Sequence, residues 1–374
     1  MKVLHVAPSL ARSQGGLRSA VLGAIRAQQA AGAAPECAFV GTSSPEDHSL
    51  ALHRFALSPP AKLGASRGLK RWLREHARDY DAVIAHGLWL LPTRYALGAA
   101  RHAGVPACLC PHGMLDPDAL AHHSLRKRLW WGLGERQALR GATLVFSTED
   151  DAGRAPAAAC ALAASTVVVP NAVESAWFDV QPQPAQPPRV VCLNRLHPRK
   201  GMLELVRAVA RLRTEGLALE LHHAGATDDV AYARRVQEAG REPAAAGALH
   251  LHGLLNDHEC RALVAGARVL VHPCVGYENF GMVIAEAMAA RVPVVASRRA
   301  LAAPGLEKLG LLWACEPEPA DIARAIAAAL ADHDAARRVA AAAQHARENY
   351  SSAAVGRRWL QVLPQSAASS RGAS

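Results

Sequence analysis

A chain of 374 residues is long for one hydrophobic core, so two domains are the default. It is 51% hydrophobic yet only 5% aromatic, which leaves Ala, Leu and Val to build most of the interior, and no apolar run approaches a membrane span. The formal net charge of +10 either suits anionic partners (phosphorylated metabolites, acidic lipid headgroups, nucleic acid) or serves solubility alone.

The opening "MKVLHVAPSL" is too short and too polar for a signal peptide and reads as a first strand, so a cytoplasmic protein is expected, touching a membrane only at its surface. Strand-like and helix-like runs then alternate, as in parallel βα units. The first half offers the strands "KVLHVAP", "CAFVG", "DAVIAHG", "PACLCPHG", "ATLVFST" and "STVVVPN", with helical patterns over residues 16–31 and 124–140. Gly15 and Gly16 fall between the first strand and first helix, where backbone N–H groups can approach a phosphate. His86 and His112 close two strands, at the ends where open α/β sheets bind ligands. The Pro-rich "VQPQPAQPPR" over 180–189 is the strongest punctuation in the chain and reads as a linker. A second series follows: "RVVCLNR", "LALELHHAG", "ALHLHGL", "RVLVHPCVG", "VPVVAS" and "LGLLWACE", with helices over 201–215, 256–265 and 281–290. Asn256 followed by Glu259 reads as a helix cap. Residues 319–363 are helical with a Tyr-Ser-Ser break, and the final "SAASSRGAS" reads as frayed. The expected domains are 1–180 and 181–350, with 351–374 a C-terminal helix and tail.

Eight cysteines form no CxxC pair and sit mostly in apolar runs, which points to buried free thiols. The pairs His122-His123 and His222-His223 lack the spacing of a closed zinc site. Asp116-Pro117-Asp118 reads as a turn and helix cap and not as a metal-binding D-x-D. Two clusters mix basic residues with Trp and Leu. One runs through Lys70, Arg71 and Trp72, the other through Arg126, Lys127, Arg128, Trp130 and Trp131. Each is either a face for an anionic membrane surface or an ordinary solvated helix face. No motif supports nucleic-acid binding.

The richest stretch is "VHPCVGYENFGMVIAEAMAARVPVVAS". Glu278 precedes a helix entrance at Asn279, Phe280 and Gly281, and Glu286 lies inside the helix, roughly 7–8 Å further along its axis. The helix N-terminus between the two acids suits a phosphate or sugar hydroxyls. Each carboxylate can accept hydrogen bonds from vicinal hydroxyls, so a nucleotide sugar fits the pattern. Otherwise Glu278 only complements the helix dipole and Glu286 pairs with a surface cation.

The spacing Glu278-x7-Glu286, with its flanking E-x-F-G and the strand after the helix, resembles the motif of retaining glycosyltransferases of family GT4. "VCLNRLHPRKG" resembles the same family's GRL-x-x-x-KG segment, with Asn194 where a Gly is usual. The resemblance spans nearly the whole chain and implies an α/β GT-B fold, two facing Rossmann-like domains with a central cleft. It implies that Arg195 and Lys200 hold the donor diphosphate, that Glu278 orients the sugar and that Glu286 orients the ribose. Asn279, Phe280, Gly281 and the Gly15-Gly16 loop complete the donor site. His112 stands beside the donor sugar, or else is a structural turn residue. The backbone of His252 and Gly253 meets the base, and His86 is an acceptor-side candidate. A UDP- or GDP-sugar donor, no metal, and a saccharide acceptor, lipid-linked in surface-polysaccharide synthesis, are the expectations, with peripheral association on the inner face of the cytoplasmic membrane. A small soluble acceptor, or a silent nucleotide-sugar-binding subunit, are the alternatives.

Overall fold

The computed structural model describes residues 1–11, 15–42, 50–122 and 124–363, so His123 and the expected frayed tail lie outside the described residues. These form two compact units, one within residues 1–172 together with 351–363, the other residues 173–350.

In the first unit the strands are β1 (Lys2–Ala7), β2 (Ala34–Val40), β3 (Leu52–Phe55), β4 (Ala82–His86), β5 (Ala107–Cys110), β6 (Thr143–Phe146) and β7 (Ser165–Val168). They pair in parallel in the order β3-β2-β1-β4-β5-β6-β7. β4 is buried along its whole length, which explains why "AVIAH" shows no polar alternation: helices cover both faces of a parallel sheet. β3 was not foreseen, because "LHRF" is a short edge strand with a polar face. The Gly16–Ala30 helix packs against the Ser352–Val362 helix, and the approach is close. A Cβ on Gly356 would lie 2.1 Å from the Ala27 carbonyl oxygen. The C-terminal helix therefore belongs to the first unit, and Ser351 caps it through Ala354 N–H.

In the second unit the strands are β8 (Arg189–Leu193), β9 (Glu220–Ala224), β10 (Leu249–Leu251), β11 (Val269–His272), β12 (Val294–Ser297) and β13 (Trp313–Cys315). Their order is β10-β9-β8-β11-β12-β13, again parallel throughout. The central β8 and β11 therefore point their carboxyl ends, residues 193–195 and 272–278, the same way.

Two expectations need correction. The unit boundary lies at 172/173, not at 180/181. Trp177, Phe178 and Val180 are buried in the core of the second unit, so the chain has joined that unit before the prolines begin. The Pro-rich stretch is pinned there too, with Gln183 N–H on Ala265 O and Ala185 N–H on Gly266 O. Residues 124–140 are not one helix: Ser124–Trp130 gives way to a wide turn over Trp131–Glu135 and a short Arg136–Leu139 helix. Gly134, at φ 143°, breaks the helical path. No helix among the described residues is long and apolar enough to cross a membrane.

Candidate active site

In the second unit β8 runs out into Asn194 and Arg195, then a tight turn at Pro198–Lys200. Gly201, at φ 73°, ends that turn and opens the Met202–Thr214 helix. A Cβ here would stand 1.8 Å from the Pro273 carbonyl oxygen, so only glycine lets the two loops touch. Val275 and Gly276 N–H both donate to Arg199 O at 3.0 Å, which ties the 273–278 loop to the 198–201 turn. This stitching brings Lys200 to Glu278, and the two form an ion pair. Arg195 pairs with Asp228 and also lies near enough to Glu278 to lower its pKa. Asn194 earns its place in this loop: its amide donates to Lys200 O and its Oδ1 accepts from His223 Nε2, each at 3.1 Å.

Burial pushes the Glu278 carboxyl up, but Lys200, His272 and Arg195 together outweigh it and hold the group below its ordinary range. His272, at the end of β11, is buried and neither ring nitrogen has a hydrogen-bond partner. Burial lowers its pKa to about 4 and so holds it neutral. Gly281 sits at φ 72° as the entrance to the Met282–Ala289 helix. Phe280 puts its ring into the core, edge-on to Tyr350, so any part it takes in donor binding falls to its main chain. Asn279 beside it is half-buried. Glu286 lies mid-helix, half-buried, with no hydrogen-bond or ion-pair partner among the described residues. Burial, then Asp257 and Glu174, push its carboxyl up to about 7, against the opposing pull of Arg261.

In the first unit His86 and His112 belong to one chain of hydrogen bonds. Gln28 Oε1 lies 3.0 Å from His5 Nε2, His5 Nδ1 lies 2.9 Å from His86 Nε2, and His86 Nδ1 lies 2.9 Å from His112 Nε2. A carbonyl oxygen can only accept, so His5 Nε2 must donate to it. His5 Nδ1 then accepts from His86, whose Nδ1 accepts from His112. One amide thus fixes three tautomers and leaves His112 Nδ1 as a bare lone pair. Burial lowers all three histidines, His5 and His112 to about 4, so the chain is neutral at ordinary pH. His112 has φ 50°, an uncommon conformation for a residue with a side chain, at the end of β5. A pocket lined by His86, Cys110, His112, Ser147 and Asn171 opens there. His86 itself is 1% exposed with both nitrogens engaged, so it can reach a ligand only through His112. Gly15, at φ 51°, precedes the first helix, which Gly16 begins.

The chain is similar to known glycosyltransferases over most of its length. Residues 15–172 match the profile of a glycosyl transferase 4-like domain, and residues 187–332 match that of glycosyl transferases group 1. The chain belongs to glycosyltransferase family GT4. Its fold is the α/β GT-B fold of two Rossmann-like domains. It is 34% identical over 144 residues to a phosphatidyl-myo-inositol mannosyltransferase of Mycolicibacterium smegmatis, a match covering 37% of this chain and 35% of the other. It is 32% identical over 136 residues to an MMP alpha-(1->4)-mannosyltransferase of Mycolicibacterium hassiacum, covering 35% and 31%. The match thus spans about a third of the length of these curated relatives. Among solved structures it is similar to Anabaena HepE in complex with UDP, with TM-score 0.77, 18% identity and coverage of 97% and 99%. A sucrose-phosphate synthase from Thermosynechococcus elongatus gives 0.72, 18%, 97% and 98%. At such identity these likenesses bear on the fold alone.

Within this GT4 chain, Arg195, Lys200 and Glu278 are brought together, and Glu286 stands on the helix that follows Glu278. His252 and Gly253 are exposed at the end of β10, the glycine at φ 70°. Sequence reasoning missed Asp228 and His272. Asp228 lies in a loop without a motif, and His272 shows only as a polar residue ending an apolar strand. Asp116 caps the short Pro117–Ala121 helix and pairs with Arg154. The basic cluster around Trp130 is arranged differently from expectation. Trp130 lies under the Arg94 guanidinium at 4.0 Å and Trp131 packs near Trp89, so neither ring is the outward face. Leu125, Leu129 and Leu133 are the exposed apolar groups, at 80%, 64% and 62%, beside exposed Arg126 and Arg128.

Proposed function

We propose that this protein transfers a glycosyl residue from a UDP- or GDP-sugar to a saccharide hydroxyl with retention of configuration, in the assembly of bacterial surface polysaccharide. The observation that carries the reading is the ion-paired Lys200–Glu278 couple beside Arg195, with an unpartnered carboxylate, Glu286, on the helix that follows. Without donor, each cation is matched by an acid of the protein, Lys200 by Glu278 and Arg195 by Asp228. A diphosphate takes over the cations, and Glu278 is released to accept hydrogen bonds from the sugar. Glu286 accepts from the ribose hydroxyls.

Bond cleavage then builds negative charge on the departing phosphate and positive charge on the sugar. Arg195 and Lys200 stabilise the first, and Glu278, held ionised by its neighbours, lies close to the second. The departing phosphate can take the acceptor's proton on the same face, so no protein nucleophile is required. The His112 lone pair supplies a hydrogen-bond acceptor on the first unit. Two side-chain cations make added Mg2+ or Mn2+ unnecessary.

Support for the sugar chemistry comes from the relatives, named as mannosyltransferases, and from the solved HepE complexes with UDP and UDP-glucose. A lipid-linked acceptor is supported by the leucine stripe and its arginines, an apolar face with basic flanks suited to an anionic bilayer. A thermal-shift panel of UDP-, GDP- and ADP-sugars tests the donor, with Arg195→Ala and Glu286→Ala as controls. One sugar class should raise the midpoint in the parent and not in the variants. Equal silence of all donors, with no turnover, would leave the reading without support. Flotation with phosphatidylglycerol vesicles, comparing the parent with a Leu125→Ser/Leu129→Ser/Leu133→Ser variant, tests the membrane surface.

A further inference from the structure

We infer that Glu220, His222 and His250 form a binding site for a zinc-class divalent ion on the edge of the second sheet. Along the sequence His222-His223 lacks the spacing of a closed zinc site. The ligand set becomes visible only when strands pair. His250 lies directly opposite His222 in the β9–β10 register. Side chains alternate along a strand, so Glu220 and His222 share one face with His250, while Leu221 turns into the core. His223 points the other way, to Asn194.

The distances suit a small ion. Glu220 Oε2 is 3.1 Å from His222 Nε2, and Glu220 Oε1 is 4.0 Å from His250 Nε2. All three ligand atoms lie within 4.8 Å of one another. Tetrahedral zinc with bonds of 2.0–2.1 Å wants its ligand atoms about 3.3 Å apart, so small side-chain rotations that close the 4.0 Å gap to His250 complete the set. The His250 Nε2 atom is buried and makes no hydrogen bond, a cost that an ion would remove. The outer partner is in place as well: His222 Nδ1 lies 3.0 Å from His252 Nε2. Without an ion His222 Nε2–H donates to Glu220 and Nδ1 accepts from His252; an ion takes the other tautomer, with Nδ1–H donated to His252 and Nε2 left bare for the metal. Arg189 Nε, 3.6 Å from Glu220 Oε2, is the competing cation, and it leaves Oε1 on the His250 side for the ion. Two imidazoles and one carboxylate favour zinc, cobalt, nickel or copper over magnesium or calcium.

The ion would act as a clip. β10 is a three-residue edge strand, and it leads into the exposed His252–Gly253 loop. A bond network through the metal would fix β10 to β9, adding to the Gly225 N–H donated to Gly253 O at 2.8 Å. No step of the proposed transfer runs through it, so the inference stands apart from that reading.

The test is titration of chelator-treated full-length protein with Co2+, then displacement by Zn2+. One equivalent should give the visible bands of a four- or five-coordinate cobalt site without a thiolate charge-transfer band, and Zn2+ should raise the thermal midpoint. Both His250→Asn and Glu220→Gln, checked for native circular dichroism, should weaken binding by at least about tenfold. A thiolate band would direct the ion to Cys110 with His86 and His112, which also converge. That result, unaltered affinity in both variants, or no binding at micromolar cobalt would each overturn the inference.

Discussion

Glu286 makes a prediction in which stability and ligand binding oppose each other. Its carboxyl is raised from an ordinary 4.5 to about 7 by burial and by the acids Asp257 and Glu174. A displacement of that size makes the ionised form about 3 kcal/mol less favourable in the folded chain. The sign follows from the order of ionisation. Below pH 4.5 the carboxyl is protonated in both folded and unfolded chains, and nothing is lost. As pH rises the unfolded chain ionises first, so stability declines between 4.5 and about 7 and is level above. Glu286→Gln keeps the shape and cannot ionise. It should therefore stabilise the protein by about 3 kcal/mol at pH 8.5 and by only about 1 kcal/mol at pH 5.5. Urea unfolding at the two pH values measures this. Nucleotide binding should run the other way, because ribose hydroxyls need the carboxylate: parent affinity falls as pH drops below 7, whereas the Gln variant is weaker and insensitive over that window. An equal stability change at both pH values, or a loss at both, would refute the reasoning.

Lys200→Met strands Glu278 without its ammonium, so the carboxyl shifts upward and UDP affinity by calorimetry should drop about 10- to 100-fold, the scale of a lost charged hydrogen bond. Gly201→Ala forces a Cβ to 1.8 Å from Pro273 O at φ 73°, and should cost at least about 2 kcal/mol of stability by denaturant unfolding; a wild-type midpoint would show that the two loops are not in contact. Gln28→Leu removes the acceptor that orders the histidine chain. Nitrogen-15 NMR should then show His112 as a tautomer mixture in place of one form, and persistence of the single form would assign its control to another group.

The fold was legible because parallel strands buried on both faces leave uninterrupted apolar runs, and twelve of the thirteen described strands need no tertiary knowledge to find once the flanking Gly, His and Asn are read as strand ends. The Asn256–Glu259 capping box was equally local, since both partners sit within one turn. Glu278 and Glu286 were legible because their geometry is set by one helix entrance. The domain boundary was not. Prolines mark where regular structure stops, but membership of a unit is decided by burial, and Trp177 and Phe178 are buried a few residues ahead of Pro182, the first of the proline cluster. Asp228 was invisible for a related reason: an acid gains meaning only from the cation it meets, and Arg195 meets it across a sheet turn 33 residues away.

The tryptophans show the same limit at a surface. An amphipathic pattern tells which residues share a helix face, but not which face another element covers. At 100° per residue Leu125 and Leu129 share one side of the Ser124–Trp130 helix and Trp130 lies well off it, while Leu133 is exposed on the wide turn that follows. Trp130 is covered by Arg94 of the helix Leu91–Ala103, and Trp131 by Trp89 just before that helix. Arg94 donates to Glu135 at 2.7 Å and to Trp130 O at 2.8 Å while its guanidinium covers the indole. Glu135 is fully buried and also accepts from Trp89 N–H, so its charge is tolerable only while Arg94 stays. Trp130 is thereby committed to an internal ion pair and Trp131 to Trp89, and the leucines are left facing solvent. Whether this helix meets a bilayer is therefore a question about three leucines and two arginines, and the tryptophans that first drew attention to it report on packing instead.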